Sequence, residues 1–292
     1  MDRACIITGA SSGIGEACAR WLDKAGWCVF AGVRRQADAE RLRIGLSDRS
    51  RPIILDVTDP DSISRALDDV RGSIGNHGLS GVVNNAGIAV AGPLEYLPLA
   101  EFRWQLEVNV IGQLAVSQAC LPLLRRATGR LVLMGSIGGR MSTPFLAPYC
   151  ASKFALEAIA DALRVELQPW GLHVSIIEPG SVATPIWAKG AETAARLGAQ
   201  FPPEVEERYG AALKALGRAA AAAEARGVSP DAVARVVEHA LTARSPRTRY
   251  LVGTDAKLRS WLGACIPDRL RDRLLTRVLQ LPGTGAFVAE TR

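Results

Sequence analysis

Three side chains with the chemistry for proton transfer lie close together in the sequence, at Ser136, Tyr149 and Lys153. Tyr149 and Lys153 are four residues apart, a spacing that places two side chains on one face of a helix. A phenol has a pKa of about 10, and a neighbouring ammonium group favours the phenolate. The set predicts general acid-base catalysis. A solvent-exposed helical Tyr and Lys pair is the alternative that this segment alone leaves open.

Ser136 must be positioned by the apolar run before it, which is typical of a buried strand. A hydroxyl at the end of that strand can hydrogen-bond a carbonyl oxygen beside the phenol. Short apolar runs of this kind alternate with helix-length amphipathic segments, which predicts a doubly wound α/β fold with a mostly parallel sheet of seven strands and helices on both faces. The predicted strands are Ala4 to Thr8, Cys28 to Val33, Pro52 to Val57, Gly81 to Asn84, Arg130 to Gly135, His173 to Glu178 and Arg249 to Val252. The predicted helices are Gly13 to Gly26, Asp38 to Leu46, Asp59 to Ile74, Ala100 to Ala127 and Pro148 to Trp170.

A glycine-rich turn follows the first predicted strand and precedes the first predicted helix. Glycines let the backbone approach a pyrophosphate closely, and the helix N-terminus supplies free amides. The turn therefore predicts a dinucleotide site, with a tight turn that binds nothing as the alternative. The residues expected to contact the cofactor here are Gly9, Ser11, Ser12, Gly13, Ile14 and Gly15.

The end of the second strand predicts which dinucleotide binds. An acidic residue there would bind the ribose hydroxyls of NAD(H), whereas this chain has Arg34 and Arg35, which can accept a 2′-phosphate. NADP(H) is therefore the expected cofactor, and NAD(H) is the alternative. Two further strand ends are expected beside the cofactor, with the residues Asp56, Val57, Asn85, Ala86 and Gly87.

Composition restricts the class of protein. The 292 residues are 48% apolar and 22% charged, as in a globular chain, and we expect a cytoplasmic protein without a signal segment or an uninterrupted membrane-length apolar run. The six cysteines are scattered without metal-ligand spacing, so neither a metal site nor a disulfide framework is expected. The net charge of +6 arises from residues 244–292, but no nucleic-acid motif accompanies it, and no nucleic-acid partner is expected.

Two segments depart from the strand and helix alternation. Residues 181–227 form an insertion that we expect to cover the carboxyl edge of the sheet as a lid on a domain spanning residues 1–255. Residues 256–292 form a C-terminal extension, with apolar residues at helical spacing from Lys257 to Leu281. We expect this amphipathic helix to pack on its own domain or on a sister subunit, and weak contact with a membrane surface is the alternative.

The motifs together resemble the classical short-chain dehydrogenase/reductase family. They occur in the family's order, as Thr8 to Gly15, Asn84 to Gly87, Asn109, Ser136, Tyr149, Lys153 and Pro179-Gly180. Two longer segments, Gly135 to Gly139 and Pro148 to Glu157, look like the branch that contains 17-beta-hydroxysteroid and retinol dehydrogenases. The resemblance implies a single Rossmann-type domain and a homodimer or homotetramer paired through its two longest helices.

The resemblance also implies roles for individual residues. Tyr149 would be the general acid or base, Ser136 would orient the substrate oxygen, and Lys153 would hold the nicotinamide ribose and lower the tyrosine's pKa. Asn109 would kink its helix and hold a water that links Lys153 to solvent. The remaining cofactor contacts, Tyr149 and Lys153 included, would be completed by Pro179, Gly180, Val182 and Thr184.

The function expected from these features is NADP(H)-preferring interconversion of a hydrophobic ketone or aldehyde and its alcohol. A hydrophobic substrate is indicated by apolar residues that flank the expected cleft, which are Met141, Pro144, Phe145, Leu146, Ile186 and Trp187. The resemblance implies that this substrate is steroid-, retinoid- or lipid-like. Two alternatives remain open. One is a reductase of small polar carbonyls, and the other is a non-catalytic dinucleotide sensor on the same fold.

Overall fold

Seven parallel strands form one sheet at the centre of the computed structural model, which describes residues 3–282. The strands are β1 (Ala4–Ile7), β2 (Cys28–Val33), β3 (Arg51–Ile54), β4 (Gly81–Asn84), β5 (Arg130–Met134), β6 (His173–Pro179) and β7 (Arg249–Val252). Their order is β3-β2-β1-β4-β5-β6-β7, and every neighbouring pair is parallel. The chain reverses its winding direction between β1 and β4, and ligands bind at such switch points in open α/β sheets.

Helices cover both faces of this sheet. They are α1 (Gly13–Lys24), α2 (Gln36–Arg43), α3 (Pro60–Ile74), α4 (Leu99–Leu106), α5 (Gly112–Ala127), α6 (Ala147–Glu166), α7 (Ile186–Gly198), α8 (Glu204–Ala225), α9 (Pro230–Thr242), α10 (Thr254–Cys265) and α11 (Asp268–Val278). Capping residues in the sequence determine where helices begin, as α3 shows. The Asp59 carboxylate caps α3 by accepting from the Asp61 amide at 2.9 Å, with proline at the first helical position.

The core has two layers, one on each side of the sheet. Successive strand side chains point to opposite faces, so Ile6 packs with α3, α5 and α6 while Ile7 packs with α1 and α9. Leu124 on the first side and Leu22 on the second are fully buried. The apolar runs read from the sequence are therefore the strands of a sheet buried on both faces.

Several predicted boundaries differ from the structure. β3 ends at Ile54, three residues before the expected end, because the Asp56 carboxylate accepts from the amide of Thr58 at 3.0 Å and turns the chain there. The helix predicted over Ala100 to Ala127 is interrupted by a π-helical turn, Glu107–Ile111. The following long helix ends at Glu166, and a separate 3₁₀ turn, Gln168–Trp170, precedes Gly171.

The run Leu99–Ala127 is long and apolar enough to cross a membrane by length and composition alone. Half of its apolar window is buried inside the fold, where α5 packs against the sheet and α3. The core helix of a globular protein has these same features.

The predicted insertion and the described part of the C-terminal extension, which interrupt the alternation of strands and helices, are both largely helical. The insertion 181–227 contains α7 and α8. The tail forms two helices where one was predicted, because Pro267 holds Ile266 in an extended conformation (φ −89°, ψ 127°). Leu279, after α11, is buried against Phe145 and Ala212 of the main body. Residues 283–292 of the predicted extension, and residues 1–2 of the predicted domain, lie outside the described residues.

Candidate active site

The glycine turn after β1 lies at the switch point of the sheet and comes very close to the chain that follows β4. Gly9 adopts φ +65°, and a Cβ atom there would lie 2.7 Å from the Cα of Ala86. Gly13 adopts φ +60°, and its Cβ position would lie 3.2 Å from Thr184. A side chain at either position would be strained and would crowd the cleft, so the turn is a cradle of bare backbone that fits a pyrophosphate.

Thr8 fixes the segment on the far side of this cradle. Its hydroxyl oxygen accepts hydrogen bonds from the amides of Asn85 and Ala86, both at 2.9 Å. The Asn85 side chain returns a hydrogen bond to the Thr8 carbonyl oxygen at 3.0 Å. These contacts tie the ends of β1 and β4 together beside the cleft.

One continuous cleft runs from this cradle to Tyr149. Of the residues predicted from the sequence, it is lined by Gly9, Ser11, Ser12, Gly13, Ile14, Arg34, Asp56, Val57, Asn85, Ala86, Gly87, Ser136, Tyr149, Lys153, Pro179, Gly180, Val182 and Thr184. Ile186 and Trp187, predicted as substrate contacts, also line it. Residues that the sequence reasoning did not single out are Gly32, Val33, Leu55, Ile88, Val108, Met134, Gly135, Pro185 and Lys189. Most of these lie at the carboxyl ends of strands, a signal that could have identified them.

Three predicted site residues lie outside the cleft lining. Gly15 faces the Gly9 carbonyl and lets α1 pack against the turn. Arg35 is the N-cap residue of α2, and its Nε lies 2.8 Å from the Asp38 carboxylate. Asn109 lies behind Lys153 and is fully buried.

Asn109 joins three parts of the site from within the π-helical turn. Its Oδ1 accepts from the Ile88 amide at 2.8 Å, and its Nδ2 donates to the Ile88 carbonyl at 3.0 Å and to the Ser152 hydroxyl at 3.1 Å. Ser152 in turn donates to the Tyr149 carbonyl at 2.6 Å. The sequence predicted the kink at Asn109 but not the anchoring of α6 through Ser152.

Tyr149, Ser136 and Lys153 lie together at the inner end of the cleft, and all three are buried. Burial raises the Tyr149 pKa to about 12, although a hydrogen bond with Ser136 and the charge of Arg259 lower it in part. The sequence had suggested that Lys153 brings this pKa towards neutrality. In the structure the Lys153 ammonium donates to the Met134 carbonyl at 2.7 Å and lies 5.7 Å from the centre of the tyrosine ring.

The pKa of Lys153 is also changed by its surroundings. Burial disfavours the charged ammonium and lowers the Lys153 pKa to about 8. The ammonium is therefore still the main form at neutral pH, and it is held in place by one carbonyl oxygen. Its remaining donors are available for a ligand in the cleft.

Basic side chains surround the nucleotide end of the cleft. Arg34 lines it directly, and Lys189 of α7 reaches across to the Ser12 hydroxyl at 3.3 Å. Arg41 donates to the Ser11 carbonyl and forms an ion pair with Glu16 at 3.0 Å. The insertion thus contributes a cation to the phosphate end, which the sequence reasoning did not foresee.

The predicted apolar substrate residues lie in two separate parts of the structure. Leu146, Ile186 and Trp187 pack around Tyr149, and the Trp187 ring meets the Tyr149 ring edge-on with centres 5.7 Å apart. Met141, Pro144 and Phe145 instead line a second cavity that α11 and Tyr209 border. The Phe145 ring packs against α8 and Leu279.

A buried ion-pair network supports α6 behind the site. Glu178 of β6 is fully buried and pairs with Arg140 at 2.9 Å, and Glu157 of α6 pairs with Arg249 at 3.0 Å. Burial and the neighbouring Glu178 carboxylate raise the Glu157 pKa to about 7, although Arg140 and Arg249 oppose the shift. Proton uptake by this buried pair of carboxylates is therefore favoured.

A Glu157→Gln variant should gain thermal stability relative to the wild type as pH rises. The raised pKa means that Glu157 contributes stability below about pH 4, and this contribution is lost as pH rises through about 7. A glutamine cannot ionise, so its Tm advantage should be about 2 °C or more larger at pH 8 than at pH 5. Glu166→Gln, exposed on the same helix, should show no such change between the two pH values. A constant Tm difference for Glu157→Gln would contradict this prediction.

Comparison with known proteins agrees with this geometry. The chain matches the family described as short chain dehydrogenase over residues 3–195. It is 40% identical over 288 residues to retinol dehydrogenase 5 of Mus musculus, covering 96% of this chain and 90% of that protein. It is 39% identical over 284 residues to 17-beta-hydroxysteroid dehydrogenase type 6 of Bos taurus, covering 95% and 89%.

A bacterial relative and a solved structure extend the comparison. The NADPH-dependent 3-dehydrocapnine reductase of Ornithobacterium rhinotracheale is 36% identical over 284 residues, covering 95% of this chain and 98% of that protein. A short-chain dehydrogenase structure from Streptomyces avermitilis aligns with a TM-score of 0.76 at 30% identity and covers 94% of this chain and 95% of that chain. The predicted family and fold are confirmed. The chain therefore belongs to the short-chain dehydrogenase family, within its retinol and 17-beta-hydroxysteroid dehydrogenase branch, and is an NAD(P)-dependent oxidoreductase.

Proposed function

We propose that this oxidoreductase prefers NADP(H) and interconverts a hydrophobic ketone or aldehyde and its alcohol. One observation carries the proposal. A single cleft has a backbone cradle flanked by Arg34 and Lys189 at one end and buried Tyr149, Ser136 and Lys153 at the other. A dinucleotide with an additional phosphate fits the first end, and a carbonyl group fits the second.

The proposed roles of the chain follow from these positions. The nicotinamide, when bound, supplies or accepts the hydride. Tyr149 is protonated at neutral pH, because the pKa of a phenol is about 10 and burial raises it further, so its hydroxyl can give a proton to an alkoxide oxygen that forms beside it. The Ser136 hydroxyl is fixed by the Gly138 amide at 3.0 Å and orients that oxygen. Lys153 binds ribose hydroxyls through the donors that Met134 leaves available.

The hydrophobic substrate class is supported by the surroundings of Tyr149. Leu146, Ile186 and Trp187 form an apolar wall beside the phenol, and Trp187 belongs to the insertion that covers the cleft. Apolar walls favour a ligand that loses hydrocarbon surface to them. The names of the relatives, which include retinol and 17-beta-hydroxysteroid dehydrogenases, agree with such a ligand.

The direct experiment follows the absorbance of NADPH and of NADH with steroid, retinoid, fatty and small polar carbonyls. We expect turnover of hydrophobic carbonyls, faster with NADPH than with NADH. Turnover confined to small polar carbonyls would replace the proposed substrate class. Tight NADPH binding without any turnover would instead favour the dinucleotide sensor.

The cofactor preference can be tested at two neighbouring arginines. Arg34→Ser should lower the ratio of kcat/KM for NADPH to that for NADH by about tenfold to a hundredfold, because a phosphate loses a charged hydrogen bond. Arg35→Ser is the matched control, since Arg35 is directed towards Asp38 and away from the cleft lining. An unchanged ratio in Arg34→Ser would contradict the NADP(H) assignment.

We also propose a homodimer or homotetramer. Helices α4 to α6 leave large apolar side chains exposed, among them Trp104 at 42%, Phe154 at 44% and Val165 at 64%. A second copy packed on these helices would remove that surface from water. Light scattering of the purified protein measures the mass directly, and a monomer would exclude this assembly.

A cytoplasmic location and a weak membrane contact complete the proposal. The six cysteines are free thiols and five of them are buried, as suits a reducing compartment. The tail exposes Leu258, Trp261 and Val278 on helices that also carry arginines, a composition that favours an anionic lipid surface. Cosedimentation with vesicles that contain phosphatidylserine, compared with neutral vesicles, tests this contact.

A further inference from the structure

Helix α7 of the insertion contacts both ends of the cleft within its first turn. The Trp187 ring packs against the Tyr149 ring, with ring centres 5.7 Å apart. Two residues later, the Lys189 ammonium lies 3.3 Å from the Ser12 hydroxyl. All four of these residues line the cleft. One turn of helix therefore joins the substrate end of the cleft to its nucleotide end.

This turn of α7 is packed closely against the chain that follows β4. Gly190 is buried, and a Cβ atom there would lie 3.1 Å from the Ala89 carbonyl oxygen. The Lys189 amide donates to the Pro185 carbonyl at 3.0 Å, so the helical conformation begins before Trp187. Because a helical turn is a rigid element, a contact that fixes Lys189 also fixes Trp187.

The Lys189 ammonium has the end of β2 in its surroundings as well as the glycine turn. The Ala10 amide donates to the Gly32 carbonyl at 2.9 Å, which ties the turn to the end of β2. A hydrogen bond from Arg35 is the main cause that lowers the pKa of Asp38 at the start of α2, and the charge of Lys189 adds to this effect. The ammonium is therefore near the strand end where the ribose 2′-position of a dinucleotide is expected.

Lys189 and Arg34 differ from other basic side chains at this end of the cleft. Arg35 and Arg41 are paired with acidic side chains. Within residues 3–282, neither Lys189 nor Arg34 forms an ion pair, and both line the cleft. Two cations without carboxylate partners favour a phosphate group between them.

We propose that Lys189 joins cofactor recognition to the substrate site. Its ammonium, together with Arg34, binds the 2′-phosphate of NADP(H), and this contact holds Trp187 against Tyr149 as a wall of the substrate site. NAD(H) lacks the 2′-phosphate and therefore holds this wall less firmly. The inference rests on the proposed function and deepens it. Lys189 is a cofactor-binding and positioning residue in this scheme, and proton transfer remains with Tyr149.

The first part of the test compares two ligands that differ only in the 2′-phosphate, adenosine 2′,5′-bisphosphate and 5′-AMP. Calorimetry should show that Lys189→Gln lowers the preference for the bisphosphate by roughly tenfold, because a charged hydrogen bond is lost. Lys189→Arg should keep most of the preference, since it keeps the charge. Lys214→Gln, on α8 of the same insertion, removes a charge that pairs with Glu206 and should change neither affinity.

The preference for the bisphosphate identifies which part of the cofactor Lys189 contacts. If Lys189→Gln weakened both ligands equally, Lys189 would bind a group that NAD(H) also has, and the inference would be overturned. This measurement needs no turnover, so it decides the contact even if no carbonyl of the panel reacts.

The second part of the test is kinetic and concerns the substrate site. For the carbonyl that reacts fastest, we expect KM at saturating NADH to exceed KM at saturating NADPH by roughly fivefold or more. Lys189→Gln should abolish this difference, and Lys214→Gln should leave it unchanged. If Lys189 only stabilised α7, its loss would raise both KM values by the same factor. An unmoved ratio of the two KM values would therefore overturn the inference.

Failure of the proposed function would give different results. A wild type that binds the bisphosphate and 5′-AMP equally would contradict the NADP(H) preference, and absence of turnover for every carbonyl would contradict the catalytic proposal. A wild-type preference for the bisphosphate that survives Lys189→Gln would leave the proposed function intact and overturn only the inference about Lys189.

Discussion

Tyr149→Phe should lower kcat/KM for carbonyl reduction by about 10²- to 10⁴-fold, the range measured for loss of a general acid. The substitution removes one oxygen atom from a side chain that is 7% exposed and keeps the ring that packs against Trp187. The variant should therefore fold and bind NADPH as the wild type does. Steady-state kinetics with the best carbonyl of the panel and a fluorescence titration with NADPH measure the two properties.

Tyr209→Phe provides the matched control for this result. Tyr209 lies on α8, outside the lining of the Tyr149 cleft, and its hydroxyl donates to Glu95 at 2.8 Å. Its loss should leave turnover unchanged. Substantial activity in Tyr149→Phe, with activity lost in Tyr209→Phe, would mean that the proton comes from another group.

Arg140→Met should lower the free energy of unfolding by about 3 kcal/mol. Arg140 donates two hydrogen bonds, at 2.9 and 3.1 Å, to the carboxylate of Glu178, which has no exposed surface. Removal of the arginine leaves a buried charge with only Arg249, 3.6 Å away, to balance it. Chemical denaturation at neutral pH measures the change.

Two variants show whether the buried charge is the cause. Arg71→Met breaks an exposed ion pair with Asp68 and should cost about 0.5 kcal/mol or less. The double variant Arg140→Met with Glu178→Met removes both members of the buried pair and should recover much of the loss. A double variant as unstable as the sum of its single variants would show that packing, and not the unpaired carboxylate, explains the result.

The strand pattern was predictable because it depends on local order. Apolar runs of strand length alternate with helical segments, and β2, β4 and β7 have the predicted bounds. β3 was predicted too long because the turn at Asp56 uses side-chain contacts with Thr58 that apolar patterning does not report. The break in the tail at Pro267 was visible in the sequence as a proline, yet the apolar spacing favoured one helix.

Residues of the candidate site could be predicted where a sequence motif by itself determines the local backbone conformation. The glycine turn and the four-residue spacing of Tyr149 and Lys153 describe local backbone, so their residues could be named in advance. The arginines illustrate the limit. Arg34 and Arg35 are equivalent in the sequence, but only the start of α2 and the position of Asp38 direct one into the cleft and the other away.

By itself the sequence determined the family and the order of the strands and helices, and it predicted the acid-base residues, because these depend on short-range spacing and residue type. Only the tertiary structure decided the surroundings that set their chemistry. Burial moves the Tyr149 pKa upward, the Met134 carbonyl takes one donor of Lys153, and α10 brings Arg259 to the Thr143 hydroxyl. Electrostatic effects of this kind depend on distances between segments far apart in the chain, which no local pattern specifies.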